Sequence, residues 1–210
     1  MSERRVELYP LWLRLWHWLN ALLFLLLLGS GLALHFPDAL AGILGFNDAR
    51  VIHNTCGVAL SGHYLIFVVA TFLGGNRRHY LPRWRGLPGR IGRQTRFYAV
   101  GIFRGEPHPF PATVACKFNP LQQLTYIGVM FGLLPAVIVT GLLFLFPEYA
   151  PERIGGMGGL WPVAVAHYLV GLALTIFLVG HLYLATAGET LLGEVRKMIR
   201  GSTLSEESRS

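Results

Sequence analysis

The sequence predicts an all-α fold, a four-helix transmembrane bundle, and three observations predict it. Of the 210 residues, 53% are hydrophobic and 14% charged, with a positive mean hydropathy, which is more apolar than an ordinary soluble domain. Four segments, Leu15–Leu34, Val51–Leu73, Leu121–Phe146 and Pro162–Thr186, are long and apolar enough to cross a hydrocarbon core of about 30 Å, which takes roughly 20 residues of helix. Lys and Arg fall almost entirely on one side of those segments. The N-terminal arm has Arg4, Arg5 and Arg14, the connection from Gly74 to Pro120 has nine basic residues, and the tail has Arg196, Lys197, Arg200 and Arg209, against only Arg50 and Arg153 elsewhere.

Each element follows from that pattern. The first span comes after Arg4 and Arg5, but its apolar stretch is too long for a signal-peptide core and lacks a convincing cleavage site, so it is expected to remain as a helix. The positive-inside rule puts both termini and the long basic connection between spans two and three in the cytoplasm. The first and third spans then run outward and the second and fourth inward, joined by short outer loops at Phe36–Arg50 and Pro147–Trp161. The net charge of +7 reports this topology and contact with anionic headgroups, not nucleic acid. Within the long connection, Arg90–Phe103 is read either as a basic amphipathic helix on the inner leaflet or as an irregular Pro-rich loop. Residues 1–210 form one domain, without an evident internal repeat. The two cysteines, Cys56 and Cys116, fall on opposite sides of the membrane and cannot pair. There is no C-x-x-C-H for covalent haem and no cysteine set for an iron–sulfur cluster.

The stretch "HYLVGLALTIFLVGH" sets an imidazole at each end of an apolar run, His167 and His181. Fourteen residues are nearly four helical turns, or about 21 Å, so both imidazoles project from one face at different depths. Span direction supplies a partner at each level: His53 opens the second span near the outer side, and His17, in "LWHWL", enters the first near the inner side. A polar side chain in hydrocarbon is costly, and four at matched levels outweigh the reading of each as a simple interhelical hydrogen bond. Two pairs, His53 with His167 and His17 with His181, suggest two bis-imidazole iron sites, since imidazole is a good axial ligand and a bundle can hold a flat macrocycle between helices. Gly57 and Gly171, each one turn past an outer histidine, would admit a porphyrin edge. Arg14, one turn before His17, is placed to pair with a propionate or to act as a cytoplasmic anchor. His35 is expected at the outer rim, as an interfacial residue or an alternative to His53. His63 points about 80° away from His53 and is expected to pack or to lie near a quinone. His79 and His108 are expected to be solvated.

Beyond these residues, the chain resembles the four-helix dihaem cytochrome b subunits of membrane-bound oxidoreductases, the formate dehydrogenase gamma subunit and thiosulfate reductase cytochrome b subunit type. "RLWHWLNALLF", His53, "RGEPHPFP", "FNPLQQLTYI" and "HYLVGLALTIFLVGHLYLATAG" carry the resemblance over nearly the whole chain. It implies two b haems and a multi-pass place in a bacterial or archaeal cytoplasmic membrane. It also implies electron transfer between the quinone or menaquinone pool and an extracytoplasmic partner, an iron–sulfur or multihaem cytochrome subunit with its catalytic subunit. In formate dehydrogenase relatives an Asn in a Y-N-x-x-Q pattern helps bind the quinone ring. Asn119 and Gln122 match that pattern, while Phe118 replaces the tyrosine. Asn119 before Pro120 is also a strong helix N-cap signal. The short outer loops are the expected docking surface, with the segment Glu152–Trp161 a candidate. The competing readings are a self-contained b-type quinone oxidoreductase, a haem-free anchor, and a proton or metal transporter that uses the histidines without haem.

Overall fold

The computed structural model describes residues 4–7, 9–73, 85–110, 119–186 and 192–205. His79, Cys116 and Phe118 lie outside the described residues. Four helices long and apolar enough to cross a membrane run over Leu11–His35, Phe46–Leu73, Pro120–Leu145 and Leu160–Thr186; they are called the first to fourth spans. The first begins where Pro10, which cannot continue a helix backwards, offers its carbonyl to the N–H groups of Leu13 and Arg14. The second begins five residues ahead of the apolar segment. Its first turn carries Asp48, whose charge complements the positive end of the helix dipole. The first outer loop is correspondingly shorter than Phe36–Arg50.

The third span is capped by a reciprocal pair: Gln122 N–H donates to Asn119 Oδ1 at 2.9 Å, and Asn119 N–H donates to Gln122 Oε1 at 3.1 Å, with Pro120 in the first turn. Midway, Pro135 has no N–H and its ring crowds the carbonyl four residues back. The helix accommodates it with a π turn at Val129–Leu133. The extra residue rotates the remainder of the span by about 100° relative to an uninterrupted α-helix.

Arg90–Phe103 is helical, not an irregular loop: a helix at Leu87–Arg96 continues through a π turn at Phe97–Gly101 and a 3-10 turn at Ile102–Arg104. Two strand pairs depart from the all-helical expectation. β1 (Arg4–Glu7) pairs antiparallel with β4 (Ser202–Ser205), following a short C-terminal helix at Gly193–Arg200, so both chain ends meet at one end of the bundle. β2 (Arg153–Ile154) pairs with β3 (Met157–Gly158). The turn between them is Gly155-Gly156, whose φ values of 58° and 83° suit a two-residue hairpin and strain any other residue.

Leu23, Cys56, Leu60 and Leu134 form a buried cluster between the first three spans, flanked by Leu27, Ile52, Tyr64, Met130, Val137 and Ile138. Outward-facing side chains such as Leu22, Leu65 and Ile176 are more than half exposed, as suits helices surrounded by lipid. The first and second spans are also locked by a polar exchange: Trp16 Nε1–H donates to the His63 carbonyl at 3.2 Å, and His63 Nε2–H donates to the Trp16 carbonyl at 2.9 Å. Their rings stack 5.1 Å apart and nearly parallel. Of its two expected roles, His63 therefore takes packing. His63→Ala is expected to lower stability by about 1–3 kcal/mol through the broken exchange, measured by denaturation in mixed detergent micelles.

Candidate functional site

The site is built on four imidazoles that enter the bundle from three spans. His53 in the second span and His167 in the fourth face each other with ring centroids 6.2 Å apart and planes inclined by 72°. His17 in the first span and His181 in the fourth do the same at 6.1 Å and 54°. An ion bonded at about 2 Å to each of two opposed imidazoles sets their centroids about 6 Å apart. Among the described residues, no group of three or more His, Cys, Asp or Glu side chains is arranged to hold a metal ion. Two nitrogen ligands do not complete the tetrahedral shell of zinc, but two imidazoles would suit an iron whose other positions a macrocycle fills.

The outer pair has a defined surround. Ser30 Oγ lies 3.1 Å from His53 Nδ1, and Thr140 Oγ1 lies 2.9 Å from His167 Nδ1. A glycine follows each hydroxyl in sequence. A Cβ at Gly31 would sit 3.3 Å from His53 Cε1, and one at Gly141 would sit 3.2 Å from His167 Cε1, so the missing side chains let the rings lie close to the first and third spans. The π turn before Pro135 lies between the Asn119 cap and Thr140, so it helps set the direction in which Thr140 and Gly141 point.

A relation between the two halves of the chain becomes visible here, where no internal repeat is evident from the sequence read linearly. The second and fourth spans share H-x3-G-x3-S/T, as His53, Gly57 and Ser61, and as His167, Gly171 and Thr175. Ser61 donates to the Gly57 carbonyl at 2.8 Å and Thr175 to the Gly171 carbonyl at 2.9 Å. The first and third spans share S/T-G, at Ser30-Gly31 and Thr140-Gly141. The correspondence ends at the inner level: fourteen residues beyond His167 stands His181, whereas fourteen beyond His53 stands Phe67, buried against Trp16. A Cβ at Gly57 or Gly171 would meet nothing within 4 Å, so there is open space one turn from each outer imidazole.

The inner pair is less constrained by hydrogen bonds. His181 stacks on Phe177 at 5.8 Å, and His17 meets Trp18 edge-on at 5.3 Å. His17 Nδ1, Arg14 Nε and Asn20 Oδ1 are buried polar atoms without a partner, spaced three residues apart on neighbouring turns of the first span. Arg14 donates from Nη1 to the Ile199 carbonyl at the end of the C-terminal helix, so its guanidinium ties the chain ends together while Nε stays uncommitted. Buried groups left in this state fit a site whose ligand supplies the missing partners. His35 lies at the outer end of the first span, exposed and stacked on Tyr168 at 4.9 Å.

At the end of the bundle where the third span begins, Asn119 Nδ2 donates to the Tyr98 hydroxyl at 2.9 Å. The Gln94 amide, fully buried, reaches His108 Nε2 at 3.4 Å. Burial raises the Tyr98 phenol above its ordinary pKa, against the lowering effect of hydrogen bonds from Asn119 and Gln94, and partial desolvation of its ring lowers His108. Near neutral pH the phenol keeps its proton. Gln122 Oε1 is held by the cap, and among the described residues its amide N–H groups have no hydrogen-bond acceptor. Sequence reasoning missed Tyr98 at this position, because only the fold of the connecting helix brings it to Asn119.

The family described as prokaryotic cytochrome b561 matches residues 8–201. The chain is 44% identical over 197 residues to the "Putative cytochrome YdhU" of Escherichia coli (strain K12), covering 94% of this chain and 74% of that protein. It is 25% identical over 229 residues to the "Probable Ni/Fe-hydrogenase B-type cytochrome subunit" of Rhizobium leguminosarum bv. viciae, covering 97% and 91% respectively.

The close approach of the outer rings generates a steric prediction. Gly31→Val and Gly141→Val each place methyl groups against an imidazole edge and are expected to displace His53 or His167. In purified protein, each should abolish the absorbance of any metal centre at the outer level and leave the inner one intact.

Proposed function

Given that the chain belongs to the prokaryotic cytochrome b561 family, and is thus a multi-pass membrane cytochrome b, we propose that it carries two b haems. On this reading it links the quinone pool to an extracytoplasmic redox partner. The carrying observation is the presence of two opposed imidazole pairs at two depths, each with its centroids about 6 Å apart. His53 and His167 hold the outer haem and His17 and His181 the inner one. Gly57 and Gly171 leave room for the macrocycle edge at the outer level. Arg14 Nε is available to a propionate at the inner end. When bound, each haem supplies a one-electron centre whose potential the surrounding hydrogen bonds and dielectric tune.

The chain's own contribution at the cytoplasmic end is a headgroup site for quinone. Such a site needs donors for the carbonyls and an apolar slot for the tail. Asn119, Gln122 and Tyr98 supply the donors: the Gln122 amide has no acceptor among the described residues, and the Tyr98 oxygen accepts from Asn119, which leaves its own O–H to donate. Phe118 stands where relatives have a tyrosine beside the Asn, and Tyr98 brings a phenol to that Asn from another helix.

A relative named as a hydrogenase B-type cytochrome subunit supports partnership with a catalytic subunit outside the membrane. An iron–sulfur or multihaem cytochrome subunit delivering or taking electrons one at a time fits that role. The hairpin β2–β3, within Glu152–Trp161, is the structured part of the outer surface and the docking site in this reading.

Two outcomes test these assignments. A pyridine haemochrome assay on the purified chain is expected to give two b haems, falling to one in His53→Ala or His17→Ala and to none when both are changed; a haem count indifferent to these residues would refute the ligand set. Tyr98→Phe is expected to leave haem content and spectra unchanged while slowing electron transfer from reduced haem to added quinone by roughly 100-fold, as loss of a positioned proton donor does. An unchanged rate would remove Tyr98 from the site.

A further inference from the structure

We infer that Ser30 and Thr140 are positioning residues that fix the tautomer and the relative ring planes of the two outer histidines, and thereby set the properties of one centre independently of the other. The inference rests on the reading of His53 and His167 as axial ligands.

The argument is an inventory of protons. Ser30 Oγ donates to the Leu26 carbonyl at 2.7 Å, with the Leu27 carbonyl at 3.3 Å. Thr140 Oγ1 donates to the Ala136 carbonyl at 2.8 Å, with the Val137 carbonyl at 3.1 Å. A hydroxyl has one proton. With that proton directed at the helix's own carbonyls, each oxygen can only accept from the histidine beside it. His53 and His167 therefore carry hydrogen on Nδ1, and each Nε2 presents its lone pair, which is the form that binds a metal.

The two hydroxyls come from different spans, the first and the third, and hold rings that belong to the second and fourth. Their directions are fixed by rigid helices, so the 72° between the ring planes is imposed by the bundle. Gly31 and Gly141 complete the device by letting each ring reach its hydroxyl. The inner pair has no such arrangement: His17 Nδ1 is buried with no partner. The chain thus ties the imidazoles at one level and leaves at least one free at the other.

An accepting oxygen on Nδ1–H makes the imidazole a better donor to iron and favours the ferric state. Removing it is expected to raise the midpoint potential of the outer haem only. The experiment uses the full-length chain in nanodiscs with the double variant Ser30→Ala/Thr140→Val, and Ser30→Thr and Thr140→Ser as hydroxyl-bearing controls. Haem content, a two-component redox titration and the low-spin ferric EPR spectrum are measured, the outer component being the one that persists in His17→Ala. The expected result is an upward shift in the outer potential and a changed outer g-anisotropy, as the ring planes are released. The inner component should be unmoved and the controls should resemble wild type. Loss of the outer haem in the double variant, restored in both controls, is the same result in stronger form. An unmoved outer component, equal shifts at both levels, or controls that behave like the double variant would overturn the inference. A wild-type chain without haem, or with haem indifferent to His53 and His167, would overturn it together with the ligand assignment, and the haemochrome assay tells the two failures apart.

Discussion

An imidazole inside a hydrocarbon-embedded bundle must satisfy two ring nitrogens where no bulk water is present, and much of the organisation of this chain follows from that requirement. His63 meets it by donating Nε2–H to the Trp16 carbonyl, which commits it to packing. His53 and His167 meet half of it through Ser30 and Thr140, with their ring centroids 6.2 Å apart. His17 meets it least, with Nδ1 unpartnered. Three different settings for one side-chain type thus separate a structural histidine from the opposed pairs.

The hydroxyls are effective because helix backbone is a strong local acceptor. A serine or threonine in a membrane helix ordinarily donates to the carbonyl four residues back. That bond removes the ambiguity of the hydroxyl rotor and leaves an oxygen of fixed polarity. Ser61 and Thr175 make the same i−4 bond with no hydrogen bond to an imidazole among the described residues, and there it only relieves the hydroxyl. What differs at Ser30 and Thr140 is the glycine that follows, which brings a ring within reach.

Much of this was legible in the sequence, for physical reasons. The spans were readable because hydrocarbon demands long apolar runs, and their starts moved most in the first two, which begin earlier, through Leu11–Arg14 and through Phe46–Arg50. The juxtaposition of His17 with His181 and of His53 with His167 was legible from span direction and helical rise; their ligand role is a separate question of chemistry. Ser30 and Thr140 were not legible, since lone hydroxyls in apolar helices usually satisfy themselves. Tyr98 was hidden because a connection brings it to Asn119 across a large sequence separation. The β1–β4 pair was hidden too, because Arg-rich and Ser-rich chain ends show no apolar alternation to mark a strand.

The placement of the histidines also orders events during biosynthesis. Each pair takes one member from the fourth span, which leaves the ribosome after the other three, and Arg14 meets a carbonyl that is synthesised later still. A nascent chain with three spans inserted has neither pair, so it offers the insertion machinery a bundle without opposed imidazoles. Both pairs come into being only when the fourth span enters, and the Ile199 carbonyl reaches Arg14 after it. A product truncated before the fourth span therefore lacks a member of both pairs rather than of one pair alone.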